Sequence, residues 1–274
     1  MTARGRFVAR LLTMLIAFAG FVPVGALPAA AGNSGTVQYV ALGDSYAAGQ
    51  GGGDYLNDCL QSPKGYPYLL DSKGRIDLRA NAACTGASTS EVISTQLSEL
   101  NQDTGLVTLT VGAADLDLSG VLAACTAVPP VGCQDAINVA LGQLAVLGGS
   151  LNNLYALVAD AAPNALIVVT GYPHLFEIVP GDPTAALKGQ INNAITLLNS
   201  TIQHAVAAQT ARINIVYVDV TEEFAGDGIG SEEPFINAEG EGAYHPNAAG
   251  YRTYAKAIFA AIRSAWLDDN KQVA

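Results

Sequence analysis

Five short apolar segments, alternating with longer segments of helical periodicity, constrain the fold of this 274-residue chain more than any other feature. The short segments are rich in β-branched residues and are predicted to be strands. They cover residues 37–42, 76–83, 106–111, 165–170 and 213–220. Apolar residues recur every three or four positions over 134–161, 184–208 and 248–266, which predicts three long helices. The alternation predicts a five-stranded parallel sheet with helices on both faces, a three-layer α/β/α sandwich.

The first 31 residues are expected to be a secretory signal peptide. Three arginines precede an apolar run over 11–24, and three alanines at 29–31 follow as small residues suited to cleavage. An uncleaved membrane anchor is the alternative, but Gly20, Pro23 and Gly25 interrupt a run that is already short for a membrane span. No later segment is a candidate span. The sequence contains no internal repeat or linker, so residues 32–274 are expected to form a single domain of a secreted protein.

The charge balance excludes several classes of partner. The formal net charge is −11, and removal of residues 1–31 takes away three arginines and no acid, which makes it −14. A chain this acidic is a poor ligand for nucleic acid and is repelled by anionic lipid surfaces. We therefore expect no nucleic-acid partner and no stable membrane insertion. Because half of the residues are hydrophobic and 14% are charged, the chain is expected to fold rather than to remain disordered.

Four cysteines, Cys59, Cys84, Cys125 and Cys133, predict two disulfides in an exported chain. Three pairings are possible. The spacing between Cys125 and Cys133, with two prolines between them, suits a local staple in the irregular segment expected over 115–133. A metal site is the rival interpretation. It is disfavoured because the sequence contains no CxxC pair and no histidine close to a cysteine.

The first predicted strand ends in Gly43, Asp44 and Ser45. These residues favour a tight turn, and the carboxyl edge of a parallel sheet is where ligands bind. Ser45 is therefore either a turn residue or a nucleophile, and a nucleophile needs a base within reach.

Three histidines are candidates for that base. His204 lies on the polar side of a predicted helix and is expected to be a surface residue. His174 follows the fourth strand on the correct edge and is a minor candidate. His245 precedes Pro246 and Asn247, which can fix the loop and cap the last helix, so it is the stronger candidate base.

Four segments, in this order, resemble the motifs of the SGNH or GDSL hydrolase superfamily, in particular its secreted actinobacterial lipase and esterase branch. They are residues 40–46, which contain Gly-Asp-Ser; residues 83–87, around Gly86; residues 112–115, at the position of the family's Gly-x-Asn-Asp motif; and residues 242–245, at the position of its Asp-x-x-His motif. The resemblance spans roughly residues 37–265. It implies a flavodoxin-like sandwich, disulfides Cys59–Cys84 and Cys125–Cys133, and no metal or organic cofactor.

The resemblance also implies roles for individual residues. Ser45 would be the nucleophile and His245 the base, with an oxyanion hole at Ser45, Gly86 and position 114. The chain departs from the family at two of these positions. Ala114 replaces the asparagine whose amide is the third oxyanion donor, and Gly242 replaces the aspartate that orients the histidine. The backbone carbonyl of Gly242 is then expected to orient His245, which would give a Ser-His dyad. Glu239 or Glu241 is the alternative, although neither spacing matches the motif.

The sequence thus predicts a secreted serine ester hydrolase, an esterase or lipase that acts on small-molecule or lipid esters. Acyl transfer to an alcohol is a close variant of the same chemistry. Two alternatives remain open: a catalytically weakened or inactive binding protein on the same fold, suggested by Ala114 and Gly242, and a carbohydrate acetyl-esterase. The chain is expected to be a monomer.

Overall fold

A computed structural model describes residues 35–71, 73–127, 129 and 131–272. The expected signal peptide, residues 1–31, lies outside the described residues. Five parallel strands form one sheet in the order β2-β1-β3-β4-β5, which is the flavodoxin-like order. Their bounds are β1 Val37–Gly43, β2 Ile76–Asn81, β3 Thr104–Thr110, β4 Leu166–Thr170 and β5 Ile215–Val218. All five predicted strands are present, with ends that differ by at most two residues from the prediction.

Seven α-helices are found among the described residues. They are α1 Ser45–Ala48, α2 Tyr66–Asp71, α3 Thr89–Glu91, α4 Leu118–Thr126, α5 Cys133–Ala161, α6 Ala185–Ala207 and α7 Ala248–Gln272. Helices α2 and α7 pack together, while α5 packs against α3, α4 and α6. Right-handed crossovers in this strand order place these two groups on opposite faces, so the three-layer sandwich is confirmed.

Three local predictions were wrong. Residues 115–133, expected to be irregular, contain α4. The helix over 90–100 begins earlier than expected, because Ser88 and Glu91 form a reciprocal capping box, and it continues from α3 into a π-helical turn and a 3₁₀ turn. The last helix continues past 266 to Gln272, since its polar end contains no helix-breaking residue.

The strands are nearly continuous apolar runs because both faces of the sheet are covered. In β4 every residue is buried, including Thr170. The buried threonines are satisfied by a chain of hydroxyl groups: Tyr66 bonds to Thr110 at 2.8 Å, Thr110 to Thr170 at 2.6 Å, and Thr170 to Tyr254 at 3.0 Å. This chain joins α2 and α7 to the middle of the sheet, just below its carboxyl edge.

Both implied disulfides are present. Cys59–Cys84 joins the loop after α1 to the loop after β2. Cys125–Cys133 joins the end of α4 to the start of α5. Since both loops linked by Cys59–Cys84 lie at the carboxyl edge of the sheet, this bond restrains the edge where Ser45 lies.

None of the described helices combines the length and the apolar character needed to span a membrane.

Candidate active site

Ser45 is held at the carboxyl edge by the tight junction between β1 and α1. Gly43 has a φ of +132°, and a Cβ on it would lie 2.1 Å from the Thr110 carbonyl oxygen, so only glycine fits. Asp44 then caps α1, because its side chain accepts the backbone N–H of Tyr46 at 2.9 Å. Ser45 is the first helical residue, which leaves its own N–H outside the helical hydrogen-bond pattern.

His245 meets Ser45 across 200 positions of sequence. Its Nε2 lies 2.7 Å from Ser45 Oγ, and its Nδ1 lies 2.8 Å from the carbonyl oxygen of Ala243. A carbonyl oxygen can only accept, so Nδ1 carries the proton and Nε2 accepts the Ser45 hydroxyl. This is the tautomer that a general base for Ser45 requires.

The predicted orienting role of Gly242 is wrong. The carbonyl of Gly242 instead accepts the backbone N–H of His245 at 3.1 Å, which closes the turn. Closing this turn leaves the carbonyl of Ala243, two residues before the histidine, facing Nδ1. Gly242, at the position of the family's aspartate, therefore closes the turn, and the carbonyl of its neighbour Ala243 orients the imidazole ring.

Neither glutamate that was considered as an alternative reaches the ring. Glu239 and Glu241 are exposed, and Nδ1 has the Ala243 carbonyl as its partner in the described part of the chain. Burial lowers the pKa of His245 to about 4, and the hydrogen bond to Ala243 acts in the opposite direction. Since no carboxylate of the described residues bonds to the ring, His245 is neutral at pH 7.

The loop that carries His245 is fixed by Asn237 and Gly51. The Asn237 amide donates to the carbonyls of Gly51 at 3.0 Å and His245 at 3.2 Å. Gly51 has a φ of +95°, and a Cβ on it would lie 2.4 Å from the Pro246 carbonyl oxygen. A glycine is therefore required where the two loops meet. Tyr244 adopts a φ of +63° just before the histidine, a conformation that bulky residues rarely take.

A buried network joins the Ser45 turn to the loop after β3. Tyr172 donates its hydroxyl to Asp44 at 2.5 Å and accepts the backbone N–H of Ala113 at 3.2 Å. Burial raises the pKa of Asp44 to about 7, although its hydrogen bonds with Tyr172 and Tyr46 act in the opposite direction. Tyr46 packs its ring 5.0 Å from that of His245 and donates its hydroxyl to the Tyr244 carbonyl. Sequence reasoning missed Tyr172; its position directly after β4, at the same edge, was the available signal.

Two backbone N–H groups are free to bind an anion beside Ser45. Among the described residues, neither Ser45 nor Gly86 donates its backbone N–H to a protein acceptor. Both residues line the same cavity, and Gly86 has a φ of +76°. Ala114 lines the cavity as well, but its methyl group offers no donor where the family has an amide.

Asp115 holds this side of the site together. Its carboxylate accepts the backbone N–H of Thr89 at 2.9 Å and the Thr89 hydroxyl at 2.6 Å. Since Thr89 begins the helix that follows Gly86, Asp115 ties the loop after β3 to the loop after β2. The site is thus assembled from the ends of β1, β2 and β3 together with the loop before α7.

The cavity at Ser45 has a volume of about 160 Å³. Leu118, Leu122 and Leu175 contribute apolar walls, and Gln50 and Thr85 contribute polar ones. Leu118 also borders a small apolar cavity of about 10 Å³ between α4, α5 and α6, lined by Leu116, Val121, Ile137, Leu141 and Ile195 among others. The Ser45 hydroxyl therefore lies in a cavity with both apolar and polar walls.

The other two histidines lie away from Ser45. His174 lines a separate cavity of about 320 Å³ with Phe176, Glu177, Glu222 and Phe224, and its Nε2 bonds to Thr196 at 2.9 Å. His204 is exposed on α6, as expected. Within the described residues, no group of three or more His, Cys, Asp or Glu side chains is placed to hold a metal ion.

Comparison with known proteins places this geometry in a family. Residues 41–253 match the model of the GDSL-like lipase/acylhydrolase family. Lipase 1 of Streptomyces coelicolor is 33% identical over 249 residues, which cover 87% of this chain and 92% of that protein. The crystal structure of phospholipase A1 from Streptomyces albidoflavus NA297 superposes with a TM-score of 0.75 at 33% identity, covering 82% of this chain and 99% of that one. The extracellular lipase of Streptomyces rimosus gives 0.74 at 29% identity, covering 81% and 100%.

Proposed function

The chain belongs to the GDSL-like lipase/acylhydrolase family and is a carboxylic ester hydrolase, and we propose that it works through an acyl-enzyme on Ser45. The observation that carries this mechanism is the 2.7 Å hydrogen bond between Ser45 Oγ and His245 Nε2. A nucleophile and a base at this distance, with the base oriented by a third group, form the arrangement that covalent catalysis requires. Here the third group is the carbonyl of Ala243.

In the first half-reaction Ser45 Oγ bonds to the ester carbonyl carbon while its proton passes to His245 Nε2. The tetrahedral intermediate collapses as the bond to the alkoxy oxygen breaks. His245 gives the same proton to that oxygen, and the alcohol leaves. The acyl group is now esterified to Ser45, and His245 is neutral again.

In the second half-reaction water takes the place of the alcohol. His245 removes a proton from the water, the new oxygen bonds to the acyl carbon, and Ser45 leaves with that proton. An alcohol that enters instead of water gives a new ester, so acyl transfer uses the same residues. The ratio of the two products depends on which acceptor the cavity admits.

The negative charge of each tetrahedral intermediate is received by the N–H groups of Ser45 and Gly86. Loss of one oxyanion donor costs about 3 kcal/mol, or roughly a hundred- to thousandfold in rate. Because Ala114 supplies no amide, the hole works with two donors and the enzyme is slower than a relative that retains the asparagine. The orientation of the Thr85–Gly86 loop then matters more than it does with three donors.

The substrates are small-molecule or lipid esters. The apolar walls that Leu118, Leu122 and Leu175 give to the cavity at Ser45 suit an acyl group. The lipase and phospholipase A1 named above support this class by similarity. Membership of a hydrolase family and a formed Ser45–His245 hydrogen bond favour an active hydrolase over an inactive binding protein.

The protein is proposed to be secreted as a monomer after removal of residues 1–31. The arginines and the apolar run that follows them support a signal peptide, and the extracellular lipase of Streptomyces rimosus supports export by similarity. Residues Gly35–Ala274 form one compact unit, in keeping with one domain over 32–274.

Replacement of Ser45 tests the mechanism directly. Ser45→Ala removes the nucleophile, so hydrolysis of p-nitrophenyl butyrate should fall to background, and a fluorophosphonate probe should label the wild type stoichiometrically at Ser45 by peptide mass spectrometry. Ser94→Ala, which changes an exposed serine in the π-helical turn after α3, is the matched control and should retain full activity. Unchanged turnover in a folded Ser45→Ala protein would exclude the acyl-enzyme.

A further inference from the structure

Gln50 lies between the loop that carries His245 and the loop that carries Gly86. Its side-chain Nε2 donates to the carbonyl oxygen of Glu241 at 2.7 Å, and its Oε1 accepts the hydroxyl of Thr85 at 2.6 Å. Glu241 precedes the turn that carries His245, whereas Thr85 precedes Gly86. One amide therefore bridges the loop of the base and the loop of the second oxyanion donor.

The backbone of Gln50 is itself fixed to the nucleophile and to the core. Its N–H donates to the carbonyl of Ser45 at 3.0 Å, and its carbonyl accepts the hydroxyl of Tyr251 at 2.7 Å. Tyr251 is fully buried on α7. The side-chain amide of Gln50 thus reaches both loops from a backbone that is anchored directly beside Ser45.

The loop of Gly86 has particular need of such a restraint. Gly86 is exposed, and a Cβ built on it would meet no atom within 4 Å, so packing does little to hold it. Its glycine backbone is also the most permissive available. On one side the loop is held by the Cys59–Cys84 bond and by the hydrogen bond from the Thr85 N–H to the Cys59 carbonyl. On the other side, the Thr85 hydroxyl is held by Gln50.

We propose that Gln50 is a positioning residue that sets the Gly86 N–H and the His245 loop at their working distances from Ser45. This role rests on the ester hydrolase mechanism proposed above. With Ala114 in place of a third donor, no side-chain amide on the other side of the hole compensates for a displaced Gly86. Misplacement of a catalytic group by about 1 Å can cost roughly a hundredfold in rate, so the Gln50 bridge controls turnover.

A direct substrate contact is the competing role, since Gln50 and Thr85 also line the cavity. The two roles differ in kinetics. A residue that holds the oxyanion donor in place affects the transition state, so its loss lowers kcat with KM nearly unchanged. A residue that only binds the substrate changes KM and leaves kcat as it was.

The experiment uses Gln50→Met, which keeps the length of the side chain and removes both hydrogen bonds, and Thr85→Val, which removes the hydroxyl with little change in shape. Gln134→Met is the matched control, because Gln134 is exposed on α5, away from Ser45, and its side-chain amide bonds to the neighbouring Asn138. For each protein kcat and KM for p-nitrophenyl butyrate, the rate of fluorophosphonate labelling of Ser45 and the thermal midpoint are measured.

The expected result is that Gln50→Met lowers kcat about ten- to a hundredfold with KM within about twofold, and slows labelling in parallel. Thr85→Val should lower kcat in the same way. The double variant should be no slower than Gln50→Met by more than about twofold, because both substitutions break the same bridge. Gln134→Met should match the wild type.

Three outcomes would overturn the positioning role: wild-type kcat in folded Gln50→Met, a rise in KM alone, or fully additive losses in the double variant. If Gln50→Met does not fold, wild-type kcat in Thr85→Val overturns it. A wild type that neither hydrolyses the ester nor reacts at Ser45 overturns the proposed function itself. An active wild type together with an unchanged kcat in Gln50→Met overturns only the positioning role of Gln50.

Discussion

Two histidine–hydroxyl pairs lie near the carboxyl edge of the sheet, and only one of them has the geometry that a nucleophile and its base require. His245 Nε2 lies 2.7 Å from the hydroxyl of Ser45, and His174 Nε2 lies 2.9 Å from that of Thr196. By distance alone the pairs are nearly equivalent. A short contact between an imidazole and a hydroxyl is therefore insufficient to identify a nucleophile and its base.

The difference between the pairs lies in the second partner of each group. The Thr196 hydroxyl donates to the carbonyl of Asn192 one turn earlier in α6, so His174 must donate through Nε2 and cannot accept a proton there. In the other pair the Ala243 carbonyl takes the Nδ1 proton, which leaves Nε2 of His245 as an acceptor. The neighbouring hydrogen bond selects the tautomer and thereby decides which histidine can act as a base.

The surroundings of the two hydroxyls differ as well. Thr196 lies within α6, where the backbone N–H groups are used by the helix. Ser45 begins α1, so its N–H is outside the helical pattern, and Gly86, whose N–H has no acceptor among the described residues, lines the same cavity. Ser45 therefore presents a free backbone N–H beside its own hydroxyl, whereas the backbone of Thr196 is engaged in the helix.

The largest difference between the two pairs is expected when each histidine is replaced in turn. His245→Ala should lower kcat for p-nitrophenyl butyrate about 10²–10⁴-fold, the usual contribution of a general acid–base group. His174→Ala is the matched variant and should stay within about twofold of the wild type. A comparable loss of kcat in both variants, with both proteins folded, would abolish the distinction between the pairs.

A smaller effect, and a gain, is expected from restoring the missing oxyanion donor. Ala114→Asn should raise kcat about tenfold, which is less than the full hundred- to thousandfold value of a native donor because the surrounding loop is shaped around alanine. Ala123→Asn, an exposed change on α4, is the control and should have no effect. A lower kcat in folded Ala114→Asn would mean that the site is built around the alanine.

The smallest effect is the pH dependence that distinguishes His245 from an ordinary histidine. Because burial lowers the pKa of His245 to about 4, its neutral, active form persists as the pH falls and is lost only near that value. We expect kcat/KM at pH 5.5 to stay close to its value at pH 7, whereas a base of pKa about 6.5 would retain about a tenth. The acidic side of the pH profile is measured from initial rates with an ester that has no titratable group, with the product quantified by chromatography. A midpoint near 6.5 would contradict the role of burial.

The strongest predictions from sequence were those based on long patterns. The five strands and the three long helices follow from periods of hydrophobicity that extend over many residues, and errors at single positions average out. Helix α4 was not predicted, because it is too short for its hydrophobic periodicity to stand out among the surrounding Pro, Gly and Cys residues. The order of the motifs along the chain is enough to predict that Ser45 and His245 are partners.

The parts of the site that sequence reasoning missed are single hydrogen bonds between distant segments. Gln50 meets Glu241 across 191 positions, and Tyr172 meets Asp44 across 128. The substitution of Gly242 for an acid pointed to a carbonyl as the orienting group, but the choice between adjacent carbonyls depends on which one the turn leaves free. In the folded chain it is the carbonyl of Ala243 that contacts Nδ1 of His245.

The sequence by itself determined the layers, the strand count, the edge on which the chemistry lies and the two residues that meet there, because these follow from periodic burial and from the position of motifs along the chain. The tertiary structure alone decided which carbonyl holds His245, which tautomers His245 and His174 adopt, and which amide joins the His245 loop to the Gly86 loop. The physical reason is that a hydrogen bond depends on distances of a few tenths of an ångström and on angles, and a linear spacing between residues specifies neither.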